Sequence, residues 1–412
     1  MLPLAGIRVL DLSNVLAGPF CGYHLARLGA EVIKIENPKG GDLARRLGAD
    51  PDMARELMGL SFVAVNAGKQ SVALDLKDPR GKEIFGRLVE RADVVLENFR
   101  PGVMDRLGLG HSALAARNPR LVYCAVSGFG RTGPWAERPA YDQIVQGLSG
   151  VMSVTGDSQS APLRAGFPLS DTIGGLTAAF AVAAALVEQR ASGRGRFIDV
   201  SLLESTLAAM GWVVSNYLNA GVVPRPMGNE NVTAAPSGTF RTGTGPLNIA
   251  ANEQKQFETL CDLIGRPALK TDLRFAEREA RKRHRDQLRA LIEEALGARS
   301  AEEWEDLLNR NGVPAGRVLS VPEILVEPQV TNRGFVERVS VPSLSETLRV
   351  TRPGFRFVED FSAPGAPPAL GAHTRLWLER IGCAPDDIEA LARDGVVALA
   401  ENETGTGPAS ES

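Results

Sequence analysis

The hydrophobic pattern changes period along the chain, and each change predicts an element. Short runs rich in β-branched residues at 7–12, 31–36, 72–75, 94–97 and 121–126 alternate with helical patterns, the signature of parallel strands joined by crossover helices. Between the first two runs, residues 18–29 read as a helix, with Pro19 suited to its first turn and Gly29 closing it. That unit leaves the loop from Ser13 to Gly18 at the carboxyl end of the first strand, where open α/β sheets bind ligands.

Further along, 197–200 reads as a strand and 202–219 as a helix. The stretch 221–236 carries the proline and glycine of a linker, so the first part of a large α/β domain is expected to fill 1–220. From 237 to 323 the pattern predicts a small α+β domain, with a strand pair at 239–241 and 247–251 and helices at 254–264, 278–296 and 301–311. Strand-like segments at 335–341 and 348–350 and a helix from His373 follow, and 324–400 is expected to complete the large domain. The polar stretch 401–412 is expected to be disordered.

The longest apolar run follows a single carboxylate. Residues 173–187 are nearly all small or apolar, Ser192-Gly-Arg-Gly195 stops the helix, and Asp171 opens it. A helix apolar on all sides is expected to be buried. The run is shorter than the ~20 residues a bilayer needs, so it reads as a core helix and not a membrane span. By position, Asp171 is first of all an N-cap, accepting hydrogen bonds from the free N–H groups of the first turn, where the helix dipole favours its charge. The other reading is a nucleophile, because Gly174 and Gly175 leave the first turn without bulk and a buried helix start can border a pocket.

Composition sets the outer limits. A chain of 412 residues, 44% hydrophobic and 23% charged, is an ordinary globular protein of two or three domains. A net charge of -3 and a pI near 6.0 argue against nucleic-acid or anionic-membrane binding. The basic run 278–289 is interleaved with Glu279 and Asp286 and reads as a solvated helix face. Cys21, Cys124, Cys261 and Cys383 form no CxxC pair and have no histidine at metal-ligand spacing, so reduced core thiols are expected and no metal centre. The first six residues lack the charged start and apolar core of a signal peptide, and a cytoplasmic location is expected.

Two familiar chemistries lose their support. Gly128-Phe-Gly-Arg-Thr-Gly133 fits G-x-G-x-x-G after a strand, but Pro134 and Pro139 follow where a dinucleotide site needs a helix. No G-x-S-x-G or H-E-x-x-H is present, and no histidine lies between His111 and His284. The neighbourhood of Asp171 therefore offers carboxylates, Tyr141 and backbone donors.

Asp11-Leu-Ser-Asn-Val-Leu-Ala-Gly-Pro19, Leu28-Gly-Ala-Glu-Val-Ile-Lys-Ile-Glu36, Gly41-Asp42, Glu97-Asn-Phe-Arg-Pro-Gly102, Asp105-Arg106, Ser127-Gly-Phe-Gly-Arg-Thr-Gly-Pro134 and Gly312-Val-Pro-Ala-Gly-Arg-Val318 occur in order. Together they resemble the class III CoA-transferases, also called the formyl-CoA transferase or CaiB/BaiF family. The resemblance implies that Asp171 is the nucleophile, attacking an acyl-CoA thioester to give an acyl-aspartyl anhydride and then an aspartyl-CoA thioester. It implies that Val15, Leu16 and Ala17 form the nucleotide pocket of coenzyme A, with Asn98, Phe99 and Arg106 along its path and Tyr141 among the contacts. Relatives that racemise 2-methylacyl-CoA carry a histidine at the position of Tyr141, because moving an α-proton between faces needs two bases. Asn37 stands where formyl-CoA transferases have a basic residue, and Ala372 where a glutamate is common.

By the same resemblance, coenzyme A enters as part of the substrate and no cofactor is permanently bound. The partners are an acyl-CoA and a small carboxylic acid, and Arg164 and Arg225 are candidates to pair with the second carboxylate of a dicarboxylate such as succinate. The implied fold is a Rossmann-like large α/β domain with a parallel sheet built from both chain ends, a smaller α+β domain, and a homodimer of two interlocked chains. An α-methylacyl-CoA racemase or epimerase of the same family and a non-catalytic CoA-binding protein are the alternative readings.

Overall fold

The computed structural model describes residues 1–341, 347–357 and 365–400. The chain divides into two compact units, one of Met1–Val151, Ala165–Gly221 and the chain from Thr331, the other of Met152–Arg164 and Val222–Val330. The stretch 401–412 lies outside the described residues.

In the larger unit, β1 (Arg8–Asp11), β2 (Glu31–Glu36), β3 (Gln70–Leu74), β4 (Val94–Glu97), β5 (Val122–Ser127) and β6 (Phe197–Ser201) pair in the order β3-β2-β1-β4-β5-β6, all parallel. The strand Val397–Ala398 adds to β3 antiparallel, so both chain ends build the sheet. Successive side chains take opposite faces. Val9, Val32, Val94 and Val122 enter one core, whereas Leu10, Ile33, Val95 and Tyr123 enter another that holds Trp377 and Ile388 from the C-terminal helices. Burial on both faces is why these strands read as nearly unbroken apolar runs.

The helices of this unit include α1 (Ala17–Arg27), α2 (Asp142–Leu148), α3 (Leu169–Ser192), α4 (Leu202–Ala209) and α5 (Trp212–Ala220). The expected single helix at 202–219 is two, because Gly211 adopts a left-handed φ of 47° between them. At 24 residues, α3 is long and apolar enough to cross a membrane, so its length does not argue for a core role. Packing does, since Ala178, Val182, Ala185 and Leu186 join the core over β1, β4 and β5. The expectation of all-round burial is corrected too: Phe180 is 77% and Val187 72% exposed on the outer side, with Leu176 near them on that face. No residue of α5 is buried, and its Trp212 and Leu218 are open to solvent.

The smaller unit has a three-stranded antiparallel sheet, β7 (Ser237–Arg241), β8 (Pro246–Ala250) and β9 (Ala315–Arg317), the last too short to show a period. Its helices include α6 (Gln254–Leu263), α7 (Arg278–Arg283), α8 (Arg285–Leu296) and α9 (Ala301–Arg310), so the expected helix at 278–296 breaks at His284. Residues 152–164, read within the large domain, pack with this unit, which runs to Val330 and not to 323. Nor is the basic run wholly solvated. Arg281 is buried, donates to the carbonyls of Ala235, Phe275 and Ala276, and lies over the Phe257 ring. All four cysteines are free thiols.

Candidate active site

The strand order reverses between β1 and β4, and the carboxyl ends of strands at such a switch leave a crevice. Loops after β1, β4 and β5 meet there. With Tyr141, Asp171 and Leu202 they line a pocket of about 200 Å³. Of the residues singled out from the sequence, Val15, Leu16, Ala17, Asn98, Phe99 and Tyr141 share this pocket with Asp171. Arg106 does not; it is exposed at the end of the short helix Val103–Arg106. Asn98 is committed to the neighbouring loop, since its Oδ1 accepts the Asn14 N–H at 2.8 Å and its Nδ2 donates to the Asn14 carbonyl at 2.8 Å.

Asp171 is not the cap of α3. The capping position is Pro168, and the carboxylate that serves the helix start comes from Asp142, at the head of α2. Its Oδ1 accepts the N–H groups of Ser170 at 2.8 Å and Asp171 at 3.3 Å, while Oδ2 accepts from Gln146 Nε2 at 2.7 Å. Among the described residues, no hydrogen bond reaches the Asp171 carboxylate. Burial, with the Asp142 charge adding to it, pushes Asp171 up to about 7. Position at a helix start therefore does not hold this group firmly ionised at neutral pH, as the cap reading would have it.

Gly174 and Gly175 also have another purpose than room for a ligand. A Cβ on Gly174 would stand 2.2 Å from Leu202 Cδ2, and one on Gly175 would stand 2.6 Å from the Ala17 carbonyl oxygen. They let α3 close against α4 and against the start of α1, which sets Asp171 beside Ala17 in one pocket wall. Phe99 is placed by Glu97, whose Oε2 accepts its N–H at 2.8 Å; burial pushes the Glu97 carboxyl up to about 7. Arg131, from the glycine-rich loop, lies 3.6 Å from Glu97 and 2.7 Å from Asp105. That loop leads into turns, and no helix begins before α2.

Sequence reasoning missed Asp142 as a partner of Asp171, and it missed Ser127 and Ala140 as pocket lining. The one available signal for Asp142 was its place directly after Tyr141. A larger concavity of about 740 Å³ lies on the smaller unit, but its carboxylate, Glu230, is paired with Arg285 and Arg289.

The model of CoA-transferase family III matches residues 4–374. The chain is 42% identical over 335 residues to an acetyl-CoA:oxalate CoA-transferase of Acetobacter aceti, covering 81% of this chain and 85% of the relative. It is 39% identical over 336 residues to a succinate–glutarate CoA-transferase of Agrobacterium fabrum, covering 81% and 84%. Among solved structures, a CAIB/BAIF family protein from Brucella suis superposes with a TM-score of 0.81 at 34% identity, covering 92% of this chain and 99% of that one.

Proposed function

The chain belongs to the class III CoA-transferases, and from that premise we propose that it moves coenzyme A between a short dicarboxylyl-CoA, succinyl-CoA foremost, and a carboxylic acid, through covalent intermediates on Asp171. The observation that carries the choice of nucleophile is the Asp171 carboxylate itself, which lines the switch-point pocket without a hydrogen-bond partner among the described residues. Lone pairs not engaged by donors are available for attack.

In the first step an Asp171 oxygen bonds to the thioester carbonyl carbon, the C–S bond breaks, and an acyl-aspartyl anhydride and a thiolate result. The thiolate then attacks the aspartyl carbonyl, releasing the donor acid and leaving aspartyl-CoA. The acceptor carboxylate attacks that thioester to form a new anhydride and thiolate, and thiolate attack on the new acyl carbon gives the product and restores Asp171. Each tetrahedral centre needs donors for its oxyanion, which backbone N–H groups at the start of α1 or in the loop 128–133 would supply. Half-burial of the pocket favours transfer over loss of the thioester to water.

Relatives named for oxalate and for succinate and glutarate support a dicarboxylate as one substrate. Arg164 and Arg225, the candidates from the sequence for its second carboxylate, are both exposed. The large apolar side chains exposed on the outer face of α3 and on α5 support association of two chains, as exposed apolar surface does. Incubation with succinyl-CoA and hydroxylamine or borohydride is expected to leave an adduct on the peptide containing Asp171, and Asp171→Ala is expected to stay folded and inactive. Full turnover in that variant would refute the assignment. Deuterium exchange at the α-carbon of a 2-methylacyl-CoA, with no transfer to added acids, would instead indicate a racemase.

A further inference from the structure

Behind the pocket lies a set of buried charges that the transfer chemistry does not use. Lys34 pairs with Asp42 at 2.9 Å, Lys69 with Asp11 at 2.8 Å and Arg45 with Glu36 at 2.7 Å, and none of the six side chains is more than 2% exposed. Buried ion pairs are no more stabilising than well-packed apolar groups of the same volume. What they can do, and apolar groups cannot, is grip backbone donors and acceptors.

Here they grip the loop after β1. The Ser13 N–H donates to Asp11 Oδ1 at 3.0 Å, and the Ser13 carbonyl accepts from Lys34 Nζ at 2.7 Å. Asn14 is held on both sides by Asn98. The Val15 N–H donates to Asp42 Oδ1 at 2.9 Å, and that same oxygen accepts the Ala44 N–H at 2.9 Å. Val15 needs such a grip. Its φ is +66°, a left-handed conformation that β-branched residues avoid, and it lines the pocket next to Leu16 and Ala17. A strained residue persists only where its surroundings over-determine it.

We infer that Asp42, held in place by Lys34, is a positioning residue of the coenzyme A pocket: it fixes the left-handed turn at Val15 and with it the wall formed by residues 15–17. This rests on the reading of the pocket as the coenzyme A site. Asp42→Asn keeps an oxygen at the position but loses the charge that holds Lys34. Val15→Gly removes the strain and releases the turn, since glycine is at ease at positive φ.

The test measures coenzyme A binding by calorimetry, steady-state kinetics with succinyl-CoA, and thermal melting, on wild type and both variants. For Asp42→Asn the dissociation constant and KM are expected to rise about tenfold, as when the competent loop conformer falls to roughly a tenth of the population. The rate at saturation is expected to stay within about threefold, because the loss is in binding common to ground and transition states. Val15→Gly is expected to melt no lower than wild type yet to bind coenzyme A more weakly. A folded Asp42→Asn with a lowered melting point and wild-type affinity would mean a purely structural role and overturn the inference. If Asp42→Asn does not fold, wild-type affinity in Val15→Gly overturns it alone. Wild-type protein that does not bind coenzyme A at all overturns the functional reading, and this inference with it.

Discussion

The titration of Asp171 is the most exposed consequence of the site's geometry. The proposed attack requires the carboxylate, and burial together with the Asp142 charge pushes Asp171 up to about 7. Below that point the ionised fraction, and with it kcat/KM, is expected to fall about tenfold per pH unit. Asp142→Asn removes the like charge but retains an oxygen for the N–H groups of Ser170 and Asp171. The acid limb of its pH profile is expected to move to lower pH, while burial keeps it above the ordinary carboxylate range. A wild-type profile flat from pH 5 to 8, or a limb that does not move in Asp142→Asn, would refute this account of the site.

The same displacement has a stability arm whose sign is opposite to that of a salt-bridged aspartate. Asp171 titrates near 3.8 when unfolded and near 7 when folded. Between these values the native state binds the proton and the unfolded state does not, so stability falls as pH rises and levels off above about 7. At ~1.36 kcal/mol per pH unit the full effect is on the order of 4 kcal/mol, an upper bound because a half-buried carboxylate keeps some hydration. Asp171→Asn abolishes the effect. Urea midpoints should show the variant more stable than wild type at pH 8, with the gap closing towards pH 4. A gap that does not change with pH would show that the carboxylate is not desolvated as described.

Three further outcomes are expected. Gly175→Ala should force α1 away from α3, because the new Cβ meets a backbone oxygen and not a movable side chain, at a cost of about 1–3 kcal/mol; lowered urea midpoint and lowered turnover together would report it. Phe180→Asp, on the open face of α3, should convert a sedimenting dimer into monomer, and a monomeric wild type would refute the proposed association. Arg281→Met should leave the carbonyls of Ala235, Phe275 and Ala276 without their donor, costing roughly 3 kcal/mol or more, with hydrogen exchange raised in the smaller unit alone.

The legible parts of this fold are those whose burial is repeated along the strand. Residues such as Val94, Val95 and Leu96 face two cores in turn, so the composition of β4 announces it. Three residues of β9 and two at Val397–Ala398 are too few to carry a period, and the break at His284 has no glycine or proline to mark it. The pocket residues 15–17, 98 and 99 lie in the ordered motifs, whereas Arg106, also in a motif, is not in the pocket that holds the others. Lys34 and Glu36 illustrate a different limit. Charged residues within a strand carry no sign of burial by themselves, and only partners several residues away along the chain, Asp42 and Arg45, reveal that both are buried.

Asp171 shows the same limit at the centre of the site. From the sequence, one aspartate at a helix start could serve as cap and nucleophile at once, because no other partner for the helix start was visible. The fold gives the capping duty to Asp142, which accepts the N–H groups that a cap would take. A capping carboxylate has its lone pairs engaged and its charge stabilised, and both effects lower its nucleophilicity. Relieved of that role, Asp171 keeps free lone pairs in a half-buried pocket and gains basicity from burial and from the second carboxylate beside it. On the proposed mechanism, reactivity at Asp171 and reduced stability at neutral pH are therefore one property, and any variant that hydrogen-bonds this carboxylate should lose the first as it recovers the second.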